Sequence, residues 1–409
     1  MKMKQIISCA LATFMLLFSF SACSTRNQTD ELDGNYNITI WISEKEGVSE
    51  LFEAQIRAFE QMHPGIKINA SIEGVAEGDA GSKIIADVSS APDIYCFAQD
   101  QLARIVQAKA LAAVPTKLAA EIKSQNDAGS VAAASVTNIL YAYPMTSDNG
   151  YYMYYDKSII TDPDNLETII KDSEKAGKKI RFALENAWYT ASFFFATGCV
   201  SNWTMDDKEN FVSVNDTFNS KEGLIAMKGM QMLTQSSAYD SNADIFSDAA
   251  VVITGIWNAG AAQTHFGNNF AASDLPSFTV DGTSYHLSSF SGNKLMGVKP
   301  QTDEKKATVL ALLAQYLTGE ECQKQRYDSF QWGPSNIKAQ ESEAVQNNPS
   351  LAALTKQNAY AQPQGQIHGA WWDIAKVLGA SAKNATTEAD LKSALNNYDV
   401  AIQSLIKTK

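Results

Sequence analysis

Alternating hydrophobic and polar residues near the start of the chain predict a β-strand over residues 36–42. Ile38, Ile40 and Ile42 occupy every second position there, and a period of two residues is typical of a strand with one buried face. Further on, Phe52 and Phe59 lie at helical spacing. The same reading predicts, in order, a helix over 49–62, a strand over 66–72, a helix over 83–88, a strand over 93–97 and a helix over 101–108.

This alternation of strands and helices favours an α/β fold with a parallel sheet and right-handed crossovers. In open sheets of this kind, ligands bind outside the carboxyl ends of the strands. The loops at those ends are polar or aromatic here and span residues 43–47 and 97–100. The sequence therefore predicts a binding site that is built from these loops.

Later segments continue the pattern. Strands are predicted over 180–184 and 251–254, and an amphipathic helix ends at Gly319. A last helix starts at Thr387, which forms a predicted capping box with Asp390.

The first 23 residues have the pattern of an export signal. Lys2 and Lys4 precede an apolar run over 6–20 and small residues at 21–23, as in a signal peptide. A run of about 15 residues is short for a membrane span, which needs about 20; an uncleaved anchor helix is the alternative. We expect a signal peptide over 1–22.

Residues 20–23 resemble a bacterial lipobox, in which Cys23 becomes the lipidated first residue of the exported protein. Phe20 differs from the aliphatic residue that is usual there. Residues 23–34 are then expected to form a lipid-anchored flexible tether, because they are polar and lack bulky apolar side chains. Two or more acyl chains are enough for stable anchoring. The predicted location is the outer or periplasmic face of a bacterial cytoplasmic membrane.

Composition narrows the function classes. The chain has 33 Lys and Arg against 45 Asp and Glu among 409 residues, for a formal net charge of -12. Such a balance repels phosphate backbones and argues against nucleic acid as a partner. Cys96, Cys199 and Cys322 fit neither a disulfide framework nor a zinc pattern, so we interpret them as buried small hydrophobes.

Tryptophans occur at the positions where a ligand is expected. Trp188 and Trp257 follow predicted strands, and Trp371 and Trp372 open a helix after a Gln/Pro/Gly-rich loop. Sugar rings pack their C–H faces on aromatic rings and need polar groups at the rim. A single Trp is most simply a core residue, but the strand-end placement favours a binding role for Trp257 and Trp372. Candidate rim residues are Glu44, Glu46, Asp100, Asp148 and Asn186.

Five segments, taken in order, resemble the maltose/maltodextrin-binding proteins, which are bacterial extracellular solute-binding subunits of ABC sugar importers. The segments are 40–42, 91–100, 143–144 together with 154–157, 254–257 and 369–372. The resemblance covers residues 37–407, and its most specific parts are the Pro-Asp-hydrophobic step at 92–94 and the final Trp segment.

This resemblance implies a two-lobed periplasmic-binding-protein-like fold with a central cleft, in which each lobe is a mainly parallel sheet flanked by helices. The N-terminal lobe would comprise 35–146 and 295–335, and the C-terminal lobe 147–294 and 336–409. Ligand would close the lobes. The implied partners are a maltodextrin-like oligosaccharide and ABC permease subunits in the membrane, with no cofactor. We expect a monomer.

The resemblance also implies roles for individual residues. Trp188, Trp257 and Trp372 fall on sugar-stacking positions, and Phe97 falls where maltose binders often have Trp. Asp100 falls on a hydroxyl-binding Asp. Asp148, Asn186 and the Lys45–Glu46 pair fall on polar site positions with changed residue types. Glu44 and Trp371 complete the predicted site.

Alternatives to this reading stay open. A glycosidase would need paired acids such as 206–207 or 320–321, but sequence neighbours rarely face one substrate. No His pair, Gly-x-Ser-x-Gly, Gly-x-Gly-x-x-Gly or P-loop motif is present, so we expect a non-enzyme without a metal site. The same fold with another oligosaccharide, a polyamine or other cationic metabolite, or a metal chelate is a second alternative. An adhesion or structural lipoprotein is a third.

Overall fold

A computed structural model of the protein describes residues 30–206, 210–243, 245–365 and 367–406. The predicted signal peptide, the Cys23 lipidation site and most of the predicted tether lie outside these residues. Within them, the last part of the predicted tether contains a short 3-10 helix, Asp30–Leu32, and the first residue of a strand.

The described chain contains the following strands and α-helices. The strands are β1 Gly34–Ile42, β2 Ile66–Gly74, β3 Ile94–Ala98, β4 Ser135–Val136, β5 Ile139–Leu140, β6 Ala142–Pro144, β7 Tyr152–Asp156, β8 Lys179–Arg181, β9 Ser201–Met205, β10 Phe211–Asp216, β11 Tyr239–Asp240, β12 Ala249–Thr254, β13 Phe270–Ser273, β14 Ser277–Val280, β15 Thr283–His286, β16 Phe290–Ser291, β17 Lys294–Val298 and β18 Gln362–Pro363. The helices are α1 Val48–Met62, α2 Glu77–Ala86, α3 Leu102–Gln107, α4 Thr116–Gln125, α5 Ala128–Ala133, α6 Leu166–Ala176, α7 Ala187–Ala196, α8 Lys221–Thr234, α9 Ala259–Phe266, α10 Glu304–Leu317, α11 Glu320–Phe330, α12 Ile337–Gln340, α13 Glu343–Gln346, α14 Pro349–Asn358, α15 Trp371–Ala375, α16 Val377–Asn384 and α17 Glu388–Ser404.

The N-terminal lobe is built on a five-stranded sheet of order β2-β1-β3-β17-β6. Ile38, Ile40 and Ile42 are buried on one face of β1, as their alternation predicts. Phe52 and Phe59 of α1 are buried in the same core. Helix α10 also packs there, so the chain returns to this lobe after a long excursion.

The C-terminal lobe is built on a second five-stranded sheet, of order β11-β8-β12-β7-β13. All six residues of β12 are buried, which is typical of a strand covered on both faces. Its core also takes in α7, α8 and the closing helix α17. Thr387 and Asp390 form the predicted capping box at the start of α17.

The two-lobed α/β fold is confirmed, but both sheets are mixed. Strand β1 runs parallel to β2 and β3, whereas β17 runs antiparallel to β3 and β6. The second sheet likewise combines parallel pairs on β8 with antiparallel pairs on β7. A strand that arrives from the other lobe starts at the edge where its neighbour ends, so it runs the opposite way: Lys294 opens β17 beside Ala98 at the end of β3.

The predicted elements up to residue 108 are confirmed, with one shift. The helix predicted over 83–88 spans Glu77–Ala86 instead, because its first turn contains polar and glycine residues that carry no hydrophobic periodicity. Farther on, β8 is shorter than the predicted strand, although Phe182 and Leu184 beyond its end stay buried.

Three segments of chain pass between the lobes and contact one another. The Ser147 amide donates to the Gly333 carbonyl (3.0 Å), and the Asn149 amide donates to the Gly292 carbonyl (3.1 Å). These crossings lie near the predicted lobe boundaries, whose exact positions stay predictions. Because these crossing segments share hydrogen bonds, they form a single connection beneath the space between the lobes; we call this connection the hinge region for its position.

Two further features of the described chain bear on the sequence predictions, namely its cysteines and the lengths of its apolar helices. Cys96, Cys199 and Cys322 are buried free thiols, which confirms their interpretation as core residues. Within the ranges that the structure describes, we find no helix with the length and apolar character that a membrane crossing requires.

Candidate ligand-binding cleft

A cavity of about 950 Å³ lies between the two lobes; we call it the cleft. Its N-terminal-lobe wall is formed by Ser43, Glu44, Lys45, Ala76, Glu77, Gly78, Asp79, Ser82, Ala98, Asp100 and Arg104. Its C-terminal-lobe wall is formed by Asn186, Trp188, Tyr189, Trp257, Gln364, Gly369, Trp372 and Asp373. Asn149, Lys294 and Trp332 come from the crossing segments. The size suits a ligand of several sugar rings or a compact metabolite.

Strand ends position many of these side chains, as the topology predicts. Lys45 follows β1 and Asp100 follows β3, where residues Gln99–Gln101 form a 3-10 turn. In the other lobe Trp257 lies in the 3-10 turn that follows β12. Asn186 caps α7, and its side-chain oxygen accepts from the Trp188 amide (3.0 Å). Short turns after buried strands therefore hold the site.

Trp188 and Trp257 form an aromatic platform in the C-terminal lobe. Their ring centroids are 5.9 Å apart with an interplanar angle of 37°. Trp188 is held by an edge contact with Tyr151 at 4.6 Å. The Trp257 ring lies over Gly255, where a Cβ atom would collide with the indole. Glycine at that position therefore makes room for the indole, and the platform is preorganised.

Trp372 extends the aromatic surface from a different element. It is half-buried at the start of α15 and packs against Trp371 (4.9 Å, 86°) and Phe290 (5.9 Å). The indole N–H groups of Trp188 and Trp372 have no hydrogen-bond partner among the described residues. Buried donors normally have a partner, so these two indole N–H groups are exceptions among the described residues.

Lys294 and Trp332 line the cleft, although the sequence analysis did not select them. The Lys294 ammonium lies 4.9 Å from the Trp332 ring centroid and 5.9 Å from that of Trp257. It also lies 3.4 Å from a Glu77 carboxylate oxygen. Burial alone would lower the pKa of Lys294, but the carboxylates of Glu77 and Asp148 outweigh it and raise that pKa. No motif marks these residues, because three separate segments bring them together.

The N-terminal wall carries ionisable groups that the cavity perturbs. Burial raises the pKa of Asp100 to about 7, although Arg104 and a hydrogen bond from Gln364 act to lower it. Burial and then repulsion from Lys294 lower the pKa of Lys45. Perturbed groups around one cavity are typical of functional sites.

The lobes touch across one side of the cleft. Gln364 of the C-terminal lobe and Asp100 of the N-terminal lobe both line the cleft, and the Gln364 side chain acts to lower the pKa of Asp100. Arg104 packs on Gly369, where a Cβ atom would lie 2.8 Å from the guanidinium Nη1. The absence of a side chain at Gly369 allows this approach.

Seven of the residues predicted from sequence line the cleft together: Glu44, Lys45, Asp100, Asn186, Trp188, Trp257 and Trp372. Their roles in binding a ligand stay predictions. Four other predicted site residues lie elsewhere.

Phe97 and Trp371 are corrections. Phe97 is 0% exposed in the core of the N-terminal lobe, because β3 lies in the middle of its sheet and is covered on both faces. Trp371 is also 0% exposed, and its indole N–H donates to the Tyr398 hydroxyl (3.0 Å). Adjacent residues on a helix point about 100° apart, so only Trp372 of the pair faces the cleft.

Glu46 and Asp148 are corrected as well. Glu46 is exposed and lies outside the cleft lining, because the turn after β1 directs Glu44 and Lys45 inward instead. Asp148 is buried in the hinge region, where its carboxylate accepts from the Gly333 amide (2.6 Å). Asp148 therefore holds two crossing segments together beneath the cleft.

Comparison with known proteins identifies the family of this chain. Residues 54–353 match the model of the bacterial extracellular solute-binding proteins. The chain is 21% identical over 434 residues to a galactooligosaccharide-binding protein of Bacillus subtilis (strain 168), which covers 100% of this chain and 99% of that one.

Solved structures share the fold. A protein solved with acarbose superposes with a TM-score of 0.79 at 24% identity, covering 91% of this chain and 100% of the other. A maltodextrin-binding protein from L. casei BL23, solved without ligand, gives 0.76 at 19% identity, covering 92% and 100%. Since the family match spans most of the sequence, this chain belongs to the bacterial extracellular solute-binding protein family.

Proposed function

We propose that this protein is the lipid-anchored, extracytoplasmic receptor of an ABC importer and that it captures maltodextrin-like oligosaccharides in the cleft. Cys23 would carry the lipid, and permease subunits in the membrane would receive the ligand. The observation that carries the proposal is the composition of the cleft, where three tryptophans line one wall and four of the five carboxylates line the other.

Trp188, Trp257 and Trp372 would take the apolar faces of successive sugar rings. Glu44 and Asp100 on the opposite wall would accept hydrogen bonds from sugar hydroxyls, since a carboxylate accepts from two hydroxyls at once. A ligand that contacts both walls favours the state in which the lobes approach, by its differential affinity for that state. The hinge region at residues 147–149, 292 and 333 would accommodate the movement.

The names of similar proteins support a sugar ligand without deciding which one. The curated relative is named for galacto-oligosaccharides, and the structural relatives are described with maltodextrins or acarbose. Binding proteins of this kind also argue against the glycosidase alternative. Glu320 and Glu321 start α11 and lie outside the cleft lining.

A direct test is to titrate the intrinsic tryptophan fluorescence of the exported part, residues 24–409, with a panel of sugars. Maltose to maltoheptaose and a series of galacto-oligosaccharides would be compared, with calorimetry for each hit. We expect saturable binding of at least one neutral oligosaccharide and no shortened products after long incubation. No binding across both series, or sugar cleavage, would contradict the proposal.

The anchor is tested separately in a bacterial host. Cys23→Ala should release the protein from the membrane fraction, because no acyl chain can then be attached. Fractionation followed by mass spectrometry of the N-terminus would measure this, with Ser24→Ala as the matched control. Equal membrane retention of both variants would contradict lipidation at Cys23.

A further inference from the structure

The floor of the cleft contains a group of residues with the chemistry of a cation-binding cage. The indole faces of Trp257 and Trp332 and the carboxylate of Glu77 surround one point. Aromatic faces and carboxylates are the groups that bind organic ammonium ions, through cation–π contacts and ion pairing. We call these three residues the cage.

The protein's own side chain already occupies the cage. The Lys294 ammonium lies within 6 Å of both indole centroids, at 4.9 Å and 5.9 Å, and 3.4 Å from Glu77. The side chains of Lys294 and Glu77 are each 12% exposed, so their charges are screened far less than those of a surface pair. The contact also joins elements of both lobes, since Trp257 belongs to the C-terminal lobe and Lys294 opens β17.

Resting on the function proposed above, we infer that Lys294 is the specificity-determining residue that restricts the cleft to uncharged oligosaccharides by filling the cage that would otherwise accept a cationic ligand. Specificity of this kind comes from a repulsive element as much as from attractive contacts. This inference bears directly on the polyamine alternative. The sequence shows carboxylates and tryptophans, but it does not show that the Lys294 side chain occupies the space between them.

The lining of the whole cleft shows why such a residue is needed. Its lining includes five acidic side chains, Glu44, Glu77, Asp79, Asp100 and Asp373. Without internal cations these would draw in any positively charged metabolite. Lys45 and Arg104 also line the cleft, but neither lies within 6 Å of a cleft tryptophan ring centroid among the described contacts. Lys294 alone combines ion pairing with both indole faces.

The inference is tested by emptying the cage. Lys294→Ala removes the side chain beyond Cβ, and the fragment removed has the size of propylammonium. We expect this variant to bind propylammonium at least tenfold more tightly than the wild type and more tightly than propan-1-ol, its uncharged isostere. Thermal shift and calorimetry would measure both ligands, with Lys356→Ala, an exposed lysine outside the cleft, as the control.

Two further variants keep the inference testable if Lys294→Ala does not fold. Lys294→Ser also empties the cage, and its hydroxyl can hydrogen-bond the Glu77 carboxylate, so we expect at least a tenfold gain in spermidine affinity, because Glu77 loses its internal partner. Lys294→Arg keeps the cation and should keep the exclusion. Wild-type protein should bind spermidine at least tenfold more weakly than its best neutral sugar.

The outcomes separate this inference from the proposed function. No gain of ammonium binding in folded Lys294→Ala, or no gain of spermidine binding in folded Lys294→Ser, overturns the role of Lys294, even if neutral sugars bind well. Conversely, the ammonium measurements use no sugar and remain decisive if the sugar panel fails. Tight spermidine binding by the wild type overturns the inference outright.

Discussion

The two walls of the cleft differ in chemistry. The N-terminal side of the cleft presents Glu44, Lys45, Glu77, Asp100 and Arg104, with Trp332 of a crossing segment as its aromatic side chain, whereas the C-terminal wall presents three tryptophans. Stacking on aromatic rings is tolerant of ligand orientation, whereas hydrogen bonds to fixed carboxylates depend on it. The difference predicts a division of roles between the lobes. The C-terminal lobe supplies most of the ligand affinity, and the N-terminal lobe discriminates between ligands.

The largest expected effect comes from removing the support behind the aromatic wall. Trp371→Ala should lower the free energy of unfolding by about 3–5 kcal/mol, as for other buried large-to-small changes, because the ring is fully buried and bonded to Tyr398. Trp372→Ala should cost less stability, because that ring is half-buried. Urea denaturation of both variants measures this, and equal losses would contradict the placement of the pair.

The second prediction compares how much each wall contributes to the affinity for an oligosaccharide. Trp257→Ala should weaken oligosaccharide binding by about 2 kcal/mol or more, in the range of buried aromatic anchors, with little loss of stability. Calorimetry with the best sugar of the panel measures it. The matched control is Trp41→Ala, whose indole donates to Glu73 (2.9 Å) on the outer part of the N-terminal sheet, and whose affinity should be unchanged. A weaker effect than that of Asp100→Ala would reverse the proposed division.

Part of the fold and of the cleft could be predicted from the sequence. The strand–helix alternation and the capping box depend on local periodicity, and the structure confirms them for β1, α1 and α17. The cleft positions of Trp257 and Asp100 follow from a topological rule about strand ends. Both kinds of inference use information that is contained in short stretches of chain.

The failures have a different origin. Phe97 and Ala98 are neighbours, and only the position of β3 inside its sheet decides that Phe97 is covered. The Lys294–Trp332–Glu77 contacts join three segments that are far apart in sequence. Mixed sheets arise because the chain crosses between lobes and enters each sheet from the cleft edge. Such features depend on tertiary arrangement, which periodicity does not encode.

The polar wall predicts a pH dependence of stability. The folded-state pKa of Asp100, about 7, lies above the ordinary value of about 3.9. The folded protein therefore favours the protonated carboxyl, and the stabilisation from this group is lost as the pH rises between those two values. We expect the free energy of unfolding to fall from pH 5 to pH 8 and expect Asp100→Asn to flatten that slope. Urea melts across this range, with Asp79→Asn as the control, would show it; identical slopes would contradict the burial of Asp100.

The smallest expected effect concerns the point where the walls meet. Gly369→Ala would place a Cβ atom 2.8 Å from the end of the Arg104 side chain, and a flexible side chain can shift at a cost of about 0.5–1 kcal/mol. Because Arg104 and Gly369 belong to opposite lobes, this cost falls on the state in which the lobes touch, and ligand affinity should drop by a few-fold while the unliganded melting temperature barely changes. Gly260→Ala, which meets no atom within 4 Å, is the control. If Gly369→Ala bound sugar as tightly as Gly260→Ala, the Arg104 contact would not belong to the ligand-bound state, and the N-terminal wall would act only through hydrogen bonds to the ligand itself.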